Sequence, residues 1–356
     1  MVRAVSLYSG AGGFDLGFED VGFKIVYANE LDVISAKTWI ANRETNKHVM
    51  HQGDISSRID EIAELSDIDL VFGGPPCQGF SIAGKMKEDD PRNQQVNIFM
   101  QIVGKLKPRV FVMENVKALG SHSKWENVRS DVLAKARELG YDVSYKIFQL
   151  AEYGVPENRE RVLFVGVDSH HGKAKYFFEK LNDFKKKPSS LRKVLKDVGD
   201  YDSADNPATS TAKIVIAKKP VLRGSAYTGM LVNGSGRPLN MDSVAPTLTA
   251  SMGGNKTPIV DQRTLDNPKK KNWFEDLYKK MIVGGTWNSS VPDFIRRLTI
   301  KEAAAIQTFP KEYSFCGSKC AQYRQIGNAV PPVFSKAVAR TVLETYFLDC
   351  YEEGLK

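Results

Sequence analysis

The sequence predicts a doubly wound α/β sheet carrying a second, smaller and irregular domain. Three observations predict it. Apolar strand-like runs alternate with helix-like segments over the first 167 residues. A glycine-rich loop, Ser9-Gly10-Ala11-Gly12-Gly13, follows the first of those runs. After Val167 the long helical periods stop, and charge runs with Gly, Pro, Ser and Asn take their place.

The elements follow in order. Strands are expected at 4–7, 24–28, 70–72, 110–113, 145–150 and 162–167, each a short apolar run. Helices are expected at 33–42, 96–106 and 125–139. Lys185–Lys187 and Lys269–Lys271 are charge runs in the irregular stretch. Regular pattern returns with a helix at 300–308 and a Pro-started helix at 331–347. The expected domains are 1–167 plus 322–356 for the sheet, and 168–321 for the irregular part. In such a sheet ligands bind outside the carboxyl ends of the strands, so the loops after Leu7, Ala28, Phe72 and Met113 are the informative ones.

Composition narrows the class. A chain of 356 residues with 42% hydrophobic and 26% charged residues is ordinary globular protein, which excludes collagen, disorder and disulfide scaffolds. Four cysteines cannot make a disulfide framework. Cys316-x-x-x-Cys320 lacks a second ligand pair, so no metal is expected. No run of about 18 apolar residues exists, so no membrane span is expected. The N-terminus lacks a signal peptide's apolar core, which suggests a cytoplasmic protein. The net charge of +8 is uneven. Residues 1–167 hold 20 basic and 23 acidic side chains, whereas 168–293 hold 21 and 13, and 294–356 hold 9 and 6. The basic excess in 168–293 suggests contact with a polyanion such as nucleic acid.

The loops carry the chemistry. The Gly10–Gly13 turn suits close approach to a nucleoside-type cofactor, although the third Gly of the dinucleotide fingerprint is replaced by Asp15. Glu30, at the end of the second strand, is placed to hold ribose hydroxyls. Asp54 could bond an adenine edge. Gly73-Gly74-Pro75-Pro76-Cys77-Gln78-Gly79-Phe80-Ser81 puts a thiol on a proline-stiffened loop, a plausible nucleophile. Glu114, after the next strand, would sit beside that loop and act as a general acid if shielded from water.

Six blocks stand in order from Ser9 to Pro332: SGAGGFDLGF, GGPPCQGFS, ENV, GVPENRERV, RRLTIKEAAAIQTFP and QIGNAVPP. With them the chain resembles a DNA (cytosine-5) methyltransferase of the bacterial and phage modification type. The resemblance implies a Rossmann-like S-adenosylmethionine-dependent sheet and a target-recognition domain, with duplex DNA taken up between them. It implies cofactor contacts from Gly10, Gly12, Gly13, Phe14, Glu30, Asp54, Ile55, Pro76 and Asn328. It makes Cys77 the nucleophile at cytosine C6 and Glu114 the proton donor to N3. Arg161 would contact the cytosine O2, and Arg159 would support the catalytic loop and the DNA. Gln78, Ser81, Thr247 and Leu248 would contact DNA, the last two in a Thr-Leu landmark within 245–249. The family usually has Gln where Glu157 stands, which leaves the role of Glu157 open. Asn93-Gln94-Gln95-Val96 also departs from the family's more apolar pattern. A monomer acting on double-stranded DNA, with a restriction endonuclease as a possible partner, is expected. The alternatives are a tRNA cytosine-5 methyltransferase and a catalytically inactive DNA-binding regulator.

Overall fold

The computed structural model describes residues 1–76, 94–285, 287 and 290–348. The chain divides into two units, one of Met1–Gly154, Arg159–Lys187 and Ala329–Lys356, the other of Val155–Asn158 and Pro188–Asn328.

In the first unit the elements are β1 (Arg3–Leu7), α1 (Gly13–Glu19), β2 (Lys24–Glu30), α2 (Val33–Ala41), β3 (Met50–Gln52), α3 (Ile59–Ala63), β4 (Leu70–Gly73), α4 (Gln94–Leu106), β5 (Val110–Val116), α5 (Lys117–Ser121), α6 (Glu126–Glu138) and β6 (Tyr141–Gln149). The short β7 (Glu157–Asn158) belongs to the second unit, after which β8 (Glu160–Asp168) and α7 (Ala174–Lys180) continue the first. The strands form one sheet in the order β3-β2-β1-β4-β5-β8-β6. β3, β2, β1, β4 and β5 are parallel, whereas β8 runs antiparallel to both β5 and β6. The reversal follows from the short link between β6 and β8, since parallel neighbours need a long crossover.

Both faces of the sheet are covered, so its strands are apolar on both sides. Val5, Leu7, Val71, Phe111, Met113 and Phe164 join Phe99, Val103 and Trp125 in one buried cluster. Phe72 points the other way, stacking on Phe18 of α1 at a centroid distance of 4.2 Å. There α1 meets α13 (Pro332–Tyr346), a helix far along the chain. Gly17 lies at the crossing, where an added Cβ would come 2.3 Å from Lys336 N. Ser335 Oγ donates to Phe14 O at the same place. Gly17→Ala is therefore expected to destabilise the protein by about 1–3 kcal/mol through overpacking. Urea unfolding measures this, and an unchanged midpoint would refute the close crossing.

The second unit holds α8 (Leu191–Val198), β9 (Ile216–Val221), β10 (Met230–Val232), β11 (Ala245–Pro246), β12 (Ile259–Asp261), α9 (Gln262–Asp266), α10 (Trp273–Ile282), β13 (Ile295–Arg297), α11 (Ile300–Ile306) and α12 (Lys319–Asn328). Its strands pair only in twos: β9 with β10, β11 with β7, and β12 with β13. Leu231, Ile259, Trp273, Phe274 and Ile295 form its apolar centre. A buried polar knot holds the RRLTIKEA block. Arg296 pairs with both oxygens of Glu302 at 2.7 and 2.8 Å, and Glu302 closes a capping box with Thr299.

The unit boundaries differ from those expected from sequence. The first unit extends to Lys187, because α7 is tied to α13: Phe177 N–H donates to Tyr346 Oη, whose hydroxyl donates to Lys173 O. Residues 322–328 belong instead to the second unit, where Tyr323 Oη donates to Leu298 O at 2.5 Å.

Candidate active site

β4 and β5 are parallel neighbours, with Gly73 opposite Met113. The loop after β4 and the residue after Met113 therefore emerge side by side at the carboxyl end of the sheet. Antiparallel β8 adds a third contribution. Arg161 stands opposite Val116, two residues on from Glu114, so the Arg161 and Glu114 side chains share a face. Arg161 Nε lies 2.8 Å from Glu114 Oε1, and both side chains are largely buried. Burial pushes the Glu114 carboxyl above its usual range, and the Arg161 and Arg159 guanidinium groups only partly oppose this. Gly74 leaves room for the acid, since a Cβ there would sit 2.9 Å from Glu114 Oε2.

The loop is fastened from below. Asn115 Nδ2 donates to Pro75 O at 3.1 Å, so the strand that presents Glu114 also fixes the proline pair. Pro76 is half-buried at the end of the described stretch. Cys77, Gln78 and Ser81 lie outside the described residues. Arg159 is fully buried and donates from Nη2 to Ala329 O at 2.9 Å. That internal bond is of the supporting kind expected of Arg159.

The cofactor candidates gather at the ends of β1 and β2. Gly10 and Gly12 adopt φ of +56° and +85°, conformations that other residues rarely take. Glu30 accepts the Gly10 N–H at 2.8 Å on one oxygen and the Asp32 N–H at 2.7 Å on the other. With the Leu31 N–H also bonding this carboxylate, an acceptor lone pair still remains for a ligand hydroxyl. Phe14 is buried, edge-on to Phe72 at 5.2 Å. Asp54 is exposed and accepts the Ser56 N–H, while Ile55 is buried. Asn328, exposed, ends α12 in the second unit.

Sequence reasoning missed the support beneath the glycine turn. Arg43 Nη2 donates to Gly12 O at 3.2 Å and pairs with Glu19 at 2.7 Å, with its guanidinium 4.4 Å over the Trp39 ring. Trp39 Nε1 in turn donates to buried Asp15 at 2.9 Å. Burial raises the Asp15 carboxyl to about 6. The spacing of Trp39 and Arg43, one helical turn apart, was the available signal.

Of the expected DNA contacts, Thr247 is exposed. Leu248 is corrected: its side chain is only 1% exposed and packs inside the second unit. Its N–H donates to Glu157 Oε1 at 2.6 Å. Glu157 is itself fully buried.

The family model described as C-5 cytosine-specific DNA methylase matches residues 2–344. The Type II methyltransferase M.FnuDI of Fusobacterium nucleatum is 32% identical, over 97% of this chain and 95% of that protein. The Type II methyltransferase M1.HphI of Haemophilus parahaemolyticus is 30% identical, over 96% of this chain and 86% of that protein. The S. pombe Dnmt2 methyltransferase structure aligns with a TM-score of 0.63 and 17% identity, over 97% of this chain and 99% of that one, a likeness of fold.

Proposed function

The chain belongs to the C-5 cytosine-specific DNA methylase family, and on that premise we propose that Glu114 and Arg161 hold and activate the target cytosine while Cys77 attacks it. The observation that carries this is the 2.8 Å pair between Arg161 and a buried Glu114 whose carboxyl is pushed up, beside the loop leading to Cys77.

Cytosine C5 is a weak nucleophile. The Cys77 thiolate forms a bond to C6, which sends the ring's π electrons toward C5 and N3. Glu114, whose proton affinity burial raises, gives its proton to N3 and so removes the charge that would otherwise accumulate there. Arg161 orients the Glu114 carboxyl and reaches the ring's O2. When bound, S-adenosylmethionine supplies the electrophilic sulfonium methyl that C5 takes. Solvent water takes the C5 proton, and the electrons of that C–H bond re-form the C5–C6 double bond as the C6–sulfur bond breaks to free the Cys77 thiolate. N3 returns its proton to Glu114. Because the base is stacked in duplex DNA, it is flipped out before reaction.

The residues at the ends of β1 and β2 fit that cofactor. A Cβ placed on Gly10 would meet nothing within 4 Å, which leaves open space over the turn. Glu30 offers acceptors to a ribose diol, and the Asp54 carboxylate offers one to an adenine amino group. Gly10, Gly12, Gly13, Phe14, Ile55, Pro76 and Asn328 complete the proposed set. Gln78, Ser81 and Thr247 would meet DNA, and the basic residues of 168–293 its phosphates.

The Type II relatives support a role in restriction-modification. The enzyme would then work in the cytoplasm as a monomer on a specific duplex site, with a cognate endonuclease that its own activity does not require. No described helix is long and apolar enough to cross a membrane. Incubation with radiolabelled S-adenosylmethionine and either duplex DNA or tRNA tests the substrate. Label is expected in cytosine of the duplex; labelled tRNA beside unlabelled DNA would overturn it.

A further inference from the structure

We propose that Glu157 is a positioning residue, whose carboxylate fastens the Thr247–Leu248 segment to the stretch of chain that delivers Arg159 and Arg161. The proposal rests on the reading of Arg161 as a holder of the target cytosine. β7 and β11 pair in parallel over two residues only, Ala245 with Glu157 and Pro246 with Asn158. Ala245 N–H donates to Pro156 O at 2.9 Å. Pro246 has no N–H, so the backbone ladder stops there. The Glu157 side chain takes over where the backbone cannot continue, accepting the Leu248 N–H at 2.6 Å. Thr247 Oγ1 adds a second tie to Asn158 O at 2.5 Å.

The burial of Glu157 makes this tie demanding. Burying a carboxyl group without donors is costly, so the Leu248 N–H on Glu157 Oε1 bears on its place in the interior. The segment is held from its other end too. Gly327 of α12 lies so close to the Thr249 backbone that an added Cβ would sit 2.4 Å from Thr249 O. Residues 245–249 are thus fixed to two motif blocks, GVPENRERV through Glu157 and QIGNAVPP through Gly327. Arg159 follows Glu157 by two residues and Arg161 by four. A shift of the recognition segment therefore reaches the arginines through the shortest possible length of chain.

An amide oxygen accepts an N–H as a carboxylate oxygen does, so Gln at this position should keep the tie. This gives the test. Glu157→Ala is expected to lower kcat on duplex DNA by about 10- to 100-fold, as small displacements of reacting groups do. Its S-adenosylmethionine affinity, read by calorimetry, should stay unchanged. Glu157→Gln should restore kcat to within about threefold of the parent, because the acceptor is kept. Equal damage in both variants, or none in Glu157→Ala, would overturn the proposal. Hydrogen exchange on the unaltered enzyme gives an answer that does not depend on a variant folding. The Leu248 amide should be protected, and exchange as fast as that of exposed Thr249 would refute the tie. Should Arg161→Ala retain full activity, the cytosine-holding reading fails instead, which separates the two outcomes.

Discussion

Cys77→Ala is expected to abolish methyl transfer while leaving the affinity for S-adenosylmethionine within about tenfold of the parent. The reaction has no productive start without addition at C6, and no neighbouring group in the GGPPCQGFS block can replace a thiolate. The residues proposed for the cofactor stand on other elements, at the ends of β1 and β2, so binding should survive. Two measurements check this. Transfer of labelled methyl to duplex DNA should vanish, and calorimetry should still detect the cofactor. A duplex carrying 5-fluorocytosine should trap the parent enzyme as a covalent adduct, since fluorine cannot leave as a proton does, whereas Cys77→Ala should form none. Residual activity in the alanine variant would refute the assignment.

Glu114→Gln carries the second largest effect. A general acid contributes about 100- to 10,000-fold, and glutamine keeps the shape of the side chain while having no proton to give. The loss should appear in kcat rather than in KM for DNA, because Arg161 remains to meet the base. The pH dependence follows from the raised carboxyl. Glu114 holds its proton to a higher pH than an exposed glutamate, and activity that needs that proton falls as pH rises through the elevated value. The parent profile of kcat/KM should therefore include a limb that descends with rising pH. The residual activity of Glu114→Gln should lack that limb. A variant within tenfold of the parent, with the limb intact, would remove Glu114 from the role of acid.

The central strands β1, β4, β5 and β8 could be read in advance because each is a largely apolar run buried on both faces. Residues 110–113 and 162–167 foretell the cores of β5 and β8, and 33–42 foretells α2. β3 escaped notice, being three residues long with two of them polar. α12 escaped too, since KCAQYRQIGN carries no apolar stripe and Gly327 reads as a turn. The direction of β8 depends on how short its link to β6 is, which no periodicity displays. Within the site, Glu114 was foreseeable from its place after an apolar strand. The buried pair with Arg161 was not, because it depends on a register between strands distant in sequence. Glu157 and Leu248, 91 residues apart, illustrate the same limit: Leu248 looked like a DNA contact until its burial was known. Arg43 under the glycine turn is a further case, since its partner Gly12 O is a backbone atom, to which sequence gives no clue.

The crossing of α1 and α13 also dictates an order of events during synthesis. α1 leaves the ribosome more than 300 residues before the surface it needs, around Ser335 and Lys336. In the meantime the stretch Pro188–Asn328 of the second unit must emerge. The nascent chain therefore carries an uncovered apolar flank at Phe14 and Phe18 through most of its translation, the kind of surface that chaperones shield. A chain that stalls before residue 332 lacks the covering for this helix.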